Sequence, residues 1–128
     1  MKTAITTLTL FTEDLKGSKE FYQTAFGLPV HWEDDDSAVF DFGNTLINLL
    51  KIENAPEVTA PAKIGAADAG TRALITITVD DVDADAAALA AKGIAVISGP
   101  IDRPWGVRTA AFADPNGNVW ELAQQLNR

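Results

Sequence analysis

Thr7-Leu8-Thr9-Leu10-Phe11-Thr12-Glu13-Asp14-Leu15 is answered further along the chain by Leu74-Ile75-Thr76-Ile77-Thr78-Val79-Asp80-Asp81-Val82. In both stretches apolar and threonine residues alternate with the period of a half-buried strand. Both then run into acidic residues that suit the positive N-terminal end of a helix. Two further blocks recur in the same order. Gly27-Leu28-Pro29-Val30 matches Gly93-Ile94-Ala95-Val96, and Asp41-Phe42-Gly43-Asn44-Thr45-Leu46-Ile47-Asn48-Leu49 matches Asp114-Pro115-Asn116-Gly117-Asn118-Val119-Trp120-Glu121-Leu122. Identity is low, but three blocks in one order and spacing read as a duplicated supersecondary unit.

Working outward, each copy reads as βαβββ. In the first, a strand over Ile5 to Phe11 precedes a helix capped by Thr12 or Asp14. Leu15, Ser18, Phe21, Tyr22, Ala25 and Phe26 give that helix one largely apolar stripe. Gly27 ends it, as glycine commonly does in the left-handed conformation. Strands are expected over Leu28 to Glu33, Ala38 to Phe42 and Thr45 to Ile52, separated by the turns Asp34-Asp35-Asp36 and Gly43-Asn44. In the second copy a strand over Arg72 to Val79 precedes a helix over Val82 to Lys92 that stops at Gly93. A short strand Ile94 to Ile97 gives way to a Pro- and Gly-punctuated loop from Ser98 to Gly106. Strands Val107 to Ala113 and Asn118 to Gln124 follow, joined by Asp114-Pro115-Asn116-Gly117. The organisation expected is a single domain over residues 1–128: module 1 at about 1–52, a linker at about 53–70 with a helical turn, and module 2 at about 71–128. The fold class is α+β, with mostly antiparallel sheets.

Strand parity separates two faces. Leu8, Leu10, Ile47, Leu49, Ile75, Ile77, Trp120 and Leu122 fall on the side expected to meet the helices. Thr7, Thr9, Asn48, Leu74, Thr76, Thr78 and Glu121 fall on the other. That second face is too polar for a core and too uncharged for an ordinary wet surface. Two such curved sheets side by side would enclose a cavity lined by it.

Composition narrows the function. The chain has 128 residues, 47% of them hydrophobic, which is globular composition for one domain. The net charge of −8 argues against a phosphate-binding nucleic-acid surface and allows a cationic ligand, though its simpler role is to keep the protein in solution. There is no cysteine, which excludes disulfides, thiolate metal sites and thiol nucleophiles. The N-terminal stretch makes a poor signal peptide, and no run approaches the ~18 apolar residues of a membrane span, so a cytoplasmic location is expected.

The entry from Leu8 to Tyr22, the block Asp114 to Leu122 and the loop Arg103-Pro104-Trp105-Gly106-Val107-Arg108 together resemble the vicinal-oxygen-chelate superfamily (glyoxalase, bleomycin resistance protein, dioxygenase), closest to its metal-free bleomycin-resistance branch. The resemblance spans nearly the whole chain. It implies paired βαβββ modules around a cavity, in a homodimer. It also implies that enzymes of the family hold a divalent metal at four places, which here match Thr7, Asn48, Leu74 and Glu121. Only Glu121 is a good ligand for such an ion. Leu74 has no donor, and Thr7 and Asn48 are weak neutral ones. No metal and no other cofactor is therefore expected.

The expected ligand-binding set is Thr7, Thr9, Trp32, Asn48, Thr76, Trp105, Arg108 and Glu121. Glu121 either meets a cationic or donor group of the ligand, or is satisfied by Arg108 or Arg72, because a buried carboxylate needs a partner. Trp105, in a Pro-Trp-Gly loop, suits the stacking of planar ligands on a cavity wall. Arg103 and Arg108 suit an anion, with at least one of them expected to pair with a nearby aspartate. His31, the only histidine, lies outside the family's ligand positions, and Ser18, Ser37 and Ser98 have no spacing to it that suggests a catalytic triad. Two functions follow. One is a protein that sequesters a small aromatic or cationic molecule, such as an antibiotic, without a metal; a plainer form of it is a metal-free domain whose natural ligand has no link to drugs. The other is a metal-dependent lyase, isomerase or dioxygenase.

Overall fold

The computed structural model describes residues 1–126. The chain divides into two compact units, Met1–Ala69 and a second beginning at Gly70. Each is a four-stranded mixed sheet with one principal helix.

In the first unit β1 (Thr7–Thr12) leads to α1 (Leu15–Phe26), then β2 (Trp32–Glu33), β3 (Ser37–Asp41) and β4 (Leu46–Lys51). The strand order is β1-β4-β3-β2, with β1 parallel to β4 and the other neighbours antiparallel. Asp14 caps α1, its carboxylate accepting from the backbone N–H of Gly17 at 3.0 Å. Thr12 serves one step earlier, its Oγ1 accepting from the N–H of Asp14 and bonding the Ser18 hydroxyl. Gly27 closes the helix at φ 65°, a left-handed conformation that costs a residue with a Cβ. α1 lies against β3 and β4. Tyr22, fully buried, sits with its ring 5.9 Å from that of Phe40, and Phe26 meets Phe42 edge-on at 4.9 Å. Burying aromatic groups of this size contributes about 1.5–3 kcal/mol each. After β4 a 3-10 turn (Ile52–Asn54) and α2 (Pro56–Thr59) occupy the start of the segment expected as a linker.

The second unit repeats the plan with β5 (Leu74–Val79), α3 (Val82–Ala91), β6 (Val96–Asp102), β7 (Val107–Ala113) and β8 (Val119–Gln125), ordered β5-β8-β7-β6. Asp81 caps α3 as Asp14 caps α1, accepting from the N–H of Ala84 at 3.1 Å. The two caps have nearly the same backbone angles, φ −140°, ψ 90° and φ −142°, ψ 94°. α3 buries Val82, Ala86 and Leu89 against a sheet face holding Phe112, Trp120 and Leu122. The turn before β8 is organised by buried Asp114. Its carboxylate accepts from the N–H groups of Asn116 and Asn118 and from the Asn118 amide.

Two strands differ from expectation. β2 spans only Trp32–Glu33 rather than Leu28 to Glu33, since Pro29 has no N–H to give a ladder. β6 runs through Val96–Asp102, into the segment expected as a loop, by slipping register between Val96 and Ser98 and again between Ser98 and Ile101. It is the sheet's edge strand, where a bulge and Pro100 are tolerated.

The face assignment follows from register. Leu8 pairs with Ile47, Leu10 with Leu49, Ile75 with Trp120 and Ile77 with Leu122, so these side chains share the helix-bearing faces. Leu8 is nevertheless 37% exposed, because β1 is an edge strand.

Candidate functional site

Directly paired residues on neighbouring strands point to the same side of a sheet, so the register draws rows across the face away from the helix. In the first unit one row runs Thr9, Asn48, Val39, Trp32. In the second the row at the equivalent strand positions runs Thr76, Glu121, Ala111, Ser98. Thr9–Asn48 and Thr76–Glu121 are thus the same pair in the two copies.

Both pairs are hydrogen-bonded. The Asn48 amide donates to Thr9 Oγ1 at 3.3 Å, and the Thr76 hydroxyl donates to Glu121 Oε1 at 3.0 Å. In each case one acceptor is left over. Asn48 Oδ1 is buried with no donor among the described residues. Glu121 is half-buried, and no described Lys, Arg or His lies within ion-pair distance of it. An unpaired buried acceptor such as Asn48 Oδ1 is costly to desolvate, whereas the free oxygen of half-buried Glu121 is within reach of a donor brought from outside.

Other expected site residues lie around these rows. Thr7 pairs with Leu46, and Leu74 with Val119, one step along the same faces. Thr7 is exposed, and Leu74 is 53% exposed. Trp32 is 55% exposed at the end of the Asn48 row. Trp105 is 70% exposed in the turn between β6 and β7, which is closed by the Gly106 N–H donating to the Arg103 carbonyl.

Arg108 is not brought to this face. It shares strand parity with Ala110 and Phe112, whose side chains are buried on the helix-bearing side, and it reaches α3. Its Nε and Nη2 donate to the two carboxylate oxygens of Asp83, and its Nη1 donates to Asp102, all at 3.0 Å. These hydrogen bonds, with Asp83 foremost, raise the Arg108 pKa. The Arg108 bond lowers that of Asp83. Glu121 therefore has neither of the basic partners weighed for it, since Arg72 is also unpaired with it.

Arg103 takes the place Arg108 leaves. Its Nε donates at 3.0 Å to Oγ1 of Thr109, a residue 2% exposed on the Glu121 side of β7. The signal separating the two arginines was strand parity: Arg108 shares parity with the bulky apolar Phe112.

Residues 4–122 match the model of the Glyoxalase/Bleomycin resistance protein/Dioxygenase superfamily. The chain belongs to this superfamily. Among the superfamily's relatives it is 36% identical over 121 residues to the uncharacterized protein YraH of Bacillus subtilis (strain 168), covering 91% of this chain and 94% of that protein. A solved glyoxalase/bleomycin resistance protein/dioxygenase from Nocardioides superimposes with a TM-score of 0.87 at 29% identity, over 99% of this chain and 86% of that one. A lactoylglutathione lyase from Agrobacterium tumefaciens shares the fold with a TM-score of 0.77 at 24% identity, over 97% and 95% of the two chains.

The resemblance implies that metal ligands of the superfamily's enzymes match Thr7, Asn48, Leu74 and Glu121 here. That donor set does not fit a divalent ion. One position is a hydrocarbon, two are neutral oxygens or amides, and one is a carboxylate already bonded to Thr76. Among the described residues no three His, Cys, Asp or Glu side chains gather as a metal cluster. Nor is any described helix long and apolar enough to cross a membrane.

Proposed function

We propose that this superfamily member binds and sequesters a small organic molecule, without a metal, through the Thr76–Glu121 row of the second unit. The observation carrying this reading is the second carboxylate oxygen of half-buried Glu121, left over beside the Thr76 hydrogen bond with no described base within ion-pair distance. A carboxylate oxygen without a donor calls for a ligand that brings one, such as an amine, and the net charge of −8 concentrates cations around it. Trp105, in the turn leading into β7 of the same sheet, supplies an exposed ring for an aromatic portion. A planar or cationic antibiotic has both features. The competing reading, a metal-dependent lyase, isomerase or dioxygenase, needs ligands that neither row supplies.

Tryptophan fluorescence titration against bleomycin-like and planar cationic antibiotics tests the proposal. Saturable quenching by one of them, weakened about tenfold or more in Glu121→Gln and reduced in Trp105→Ala, is expected. Quenching by none, or quenching unchanged in both variants, would retire the antibiotic reading and this site. We further propose that the working form is a homodimer. Ile5, Leu8, Leu74, Ile97 and Ile101 all remain exposed for a second copy to cover. Sedimentation equilibrium showing only a monomer would remove that part.

A further inference from the structure

The described basic side chains follow a rule with one exception. Acids outnumber bases 18 to 10, so a carboxylate is seldom far away. Three half-buried bases have one: Lys19 with Glu33, Lys51 with Asp36, and Arg108 with Asp83 and Asp102. The described bases without an ion pair, Lys2, Lys16, Lys63, Arg72 and Lys92, are exposed and solvated. Arg103 alone among the described residues is half-buried and has no carboxylate within ion-pair distance.

Its guanidinium is also held in place. The Arg103 N–H donates to the Val107 carbonyl at 2.7 Å, and its carbonyl accepts from the Gly106 N–H at 3.1 Å, so the backbone is fixed by the hairpin turn. Nε is fixed by the buried Thr109 hydroxyl. That leaves the Nη donors of a planar fork, the group best shaped to take a carboxylate or phosphate by two parallel hydrogen bonds. Thr109 and Ala111 are successive residues on one face of β7, and Ala111 is paired with Glu121. Diagonal neighbours across a strand pair lie about 7–8 Å apart. Arg103 is therefore anchored a short side chain's reach from Glu121.

We propose that Arg103 is the oxyanion-recognising residue of the binding face, so the ligand carries a carboxylate or phosphate as well as the donor group taken by Glu121. This rests on the reading of the Glu121 face as the binding face, and it narrows the ligand to an amphoteric class. The overall charge agrees. A field of −8 weakens the binding of a simple anion relative to one that brings its own cation.

The test uses 4-aminobutyrate, its two halves butyrate and butylamine, and inorganic phosphate, followed by side-chain Nε–Hε NMR on the unaltered full-length protein. Saturable movement of the Arg103 resonance with aminobutyrate or phosphate is expected, without movement for butylamine. Arg103→Gln should weaken aminobutyrate binding about tenfold or more and leave butylamine unaffected. Arg103→Lys, which keeps charge but not the fork, should fall between. Glu121→Gln should weaken butylamine and aminobutyrate and spare phosphate. If neither anion moves the Arg103 resonance, or if Arg103→Gln binds aminobutyrate as the parent does, the oxyanion role is wrong. Butylamine binding that persists and depends on Glu121 would leave the broader reading standing in that case. Loss of both would take down the face as well.

Discussion

At the scale of single residues, the decisive distinction is between two arginines five positions apart in one loop and strand. Arg108 is locked to Asp83 and Asp102, and Arg103 is bonded only to a neutral hydroxyl. Composition could nominate both as anion clamps, but parity along β7 turns Arg108 to the helix side while Arg103 lies in the turn before that strand, and parity has to be counted from a strand whose start is known. The Arg108–Asp83 pair makes its own prediction. The folded pKa of Asp83 is lowered below 3.8 by the Arg108 hydrogen bond. The pair's stabilisation is therefore fully present above the unfolded value and is lost as the pH falls through the folded one. Thermal unfolding of Asp83→Asn and the parent should differ by a constant amount from about neutral pH down to about pH 4, and converge below it. A difference that grows on acidification would contradict the sign. The difference itself should be small, because the pair is at the surface.

At the scale of elements, the helices were legible because their ends carry chemistry: Asp14 and Asp81 cap, and Gly27 stops α1. Asp81→Ala should destabilise the protein by about 1 kcal/mol in urea unfolding, with Asp81→Ser or Asn close to the parent. An unchanged midpoint would mean the cap is redundant. β6 was illegible for the opposite reason. Gly99-Pro100 reads as a break, and here it is a bulge within an edge strand. Gly99 sits at φ 79°, and a Cβ there would run into the Thr109 carbonyl oxygen and the Ala110 Cα. Gly99→Ala should therefore cost about 2 kcal/mol or more, since left-handed strain and a backbone clash add. Because the clash falls on Thr109, the variant should also displace the Arg103 Nε resonance. A fully stable Gly99→Ala with that resonance unmoved would show that the approach of β6 to β7 is not tight.

At the scale of the whole molecule, duplication was the most legible feature, and the register gives it a physical form. The same strand positions carry Thr9–Asn48 in one copy and Thr76–Glu121 in the other, each hydrogen-bonded, each with an acceptor to spare. The repeat preserves the scaffold while the side chains on it diverge, which is why fold could be read from the blocks and ligand identity could not. The divergence bears directly on metal. A bound ion stabilises the folded state by an amount set by its concentration over Kd, about 2.7 kcal/mol at a hundredfold excess. With Leu74 unable to coordinate and Glu121 the sole carboxylate among the four family positions, no such gain should appear. Melting temperatures in the presence of Ni, Zn, Fe or Mn should match those in chelator, and elemental analysis should find no stoichiometric metal. A thermal shift with one of these ions, abolished in Glu121→Ala, would mean that Glu121 is a ligand rather than a hydrogen-bond acceptor. In that event the family's metal chemistry would have survived the loss of its usual donors.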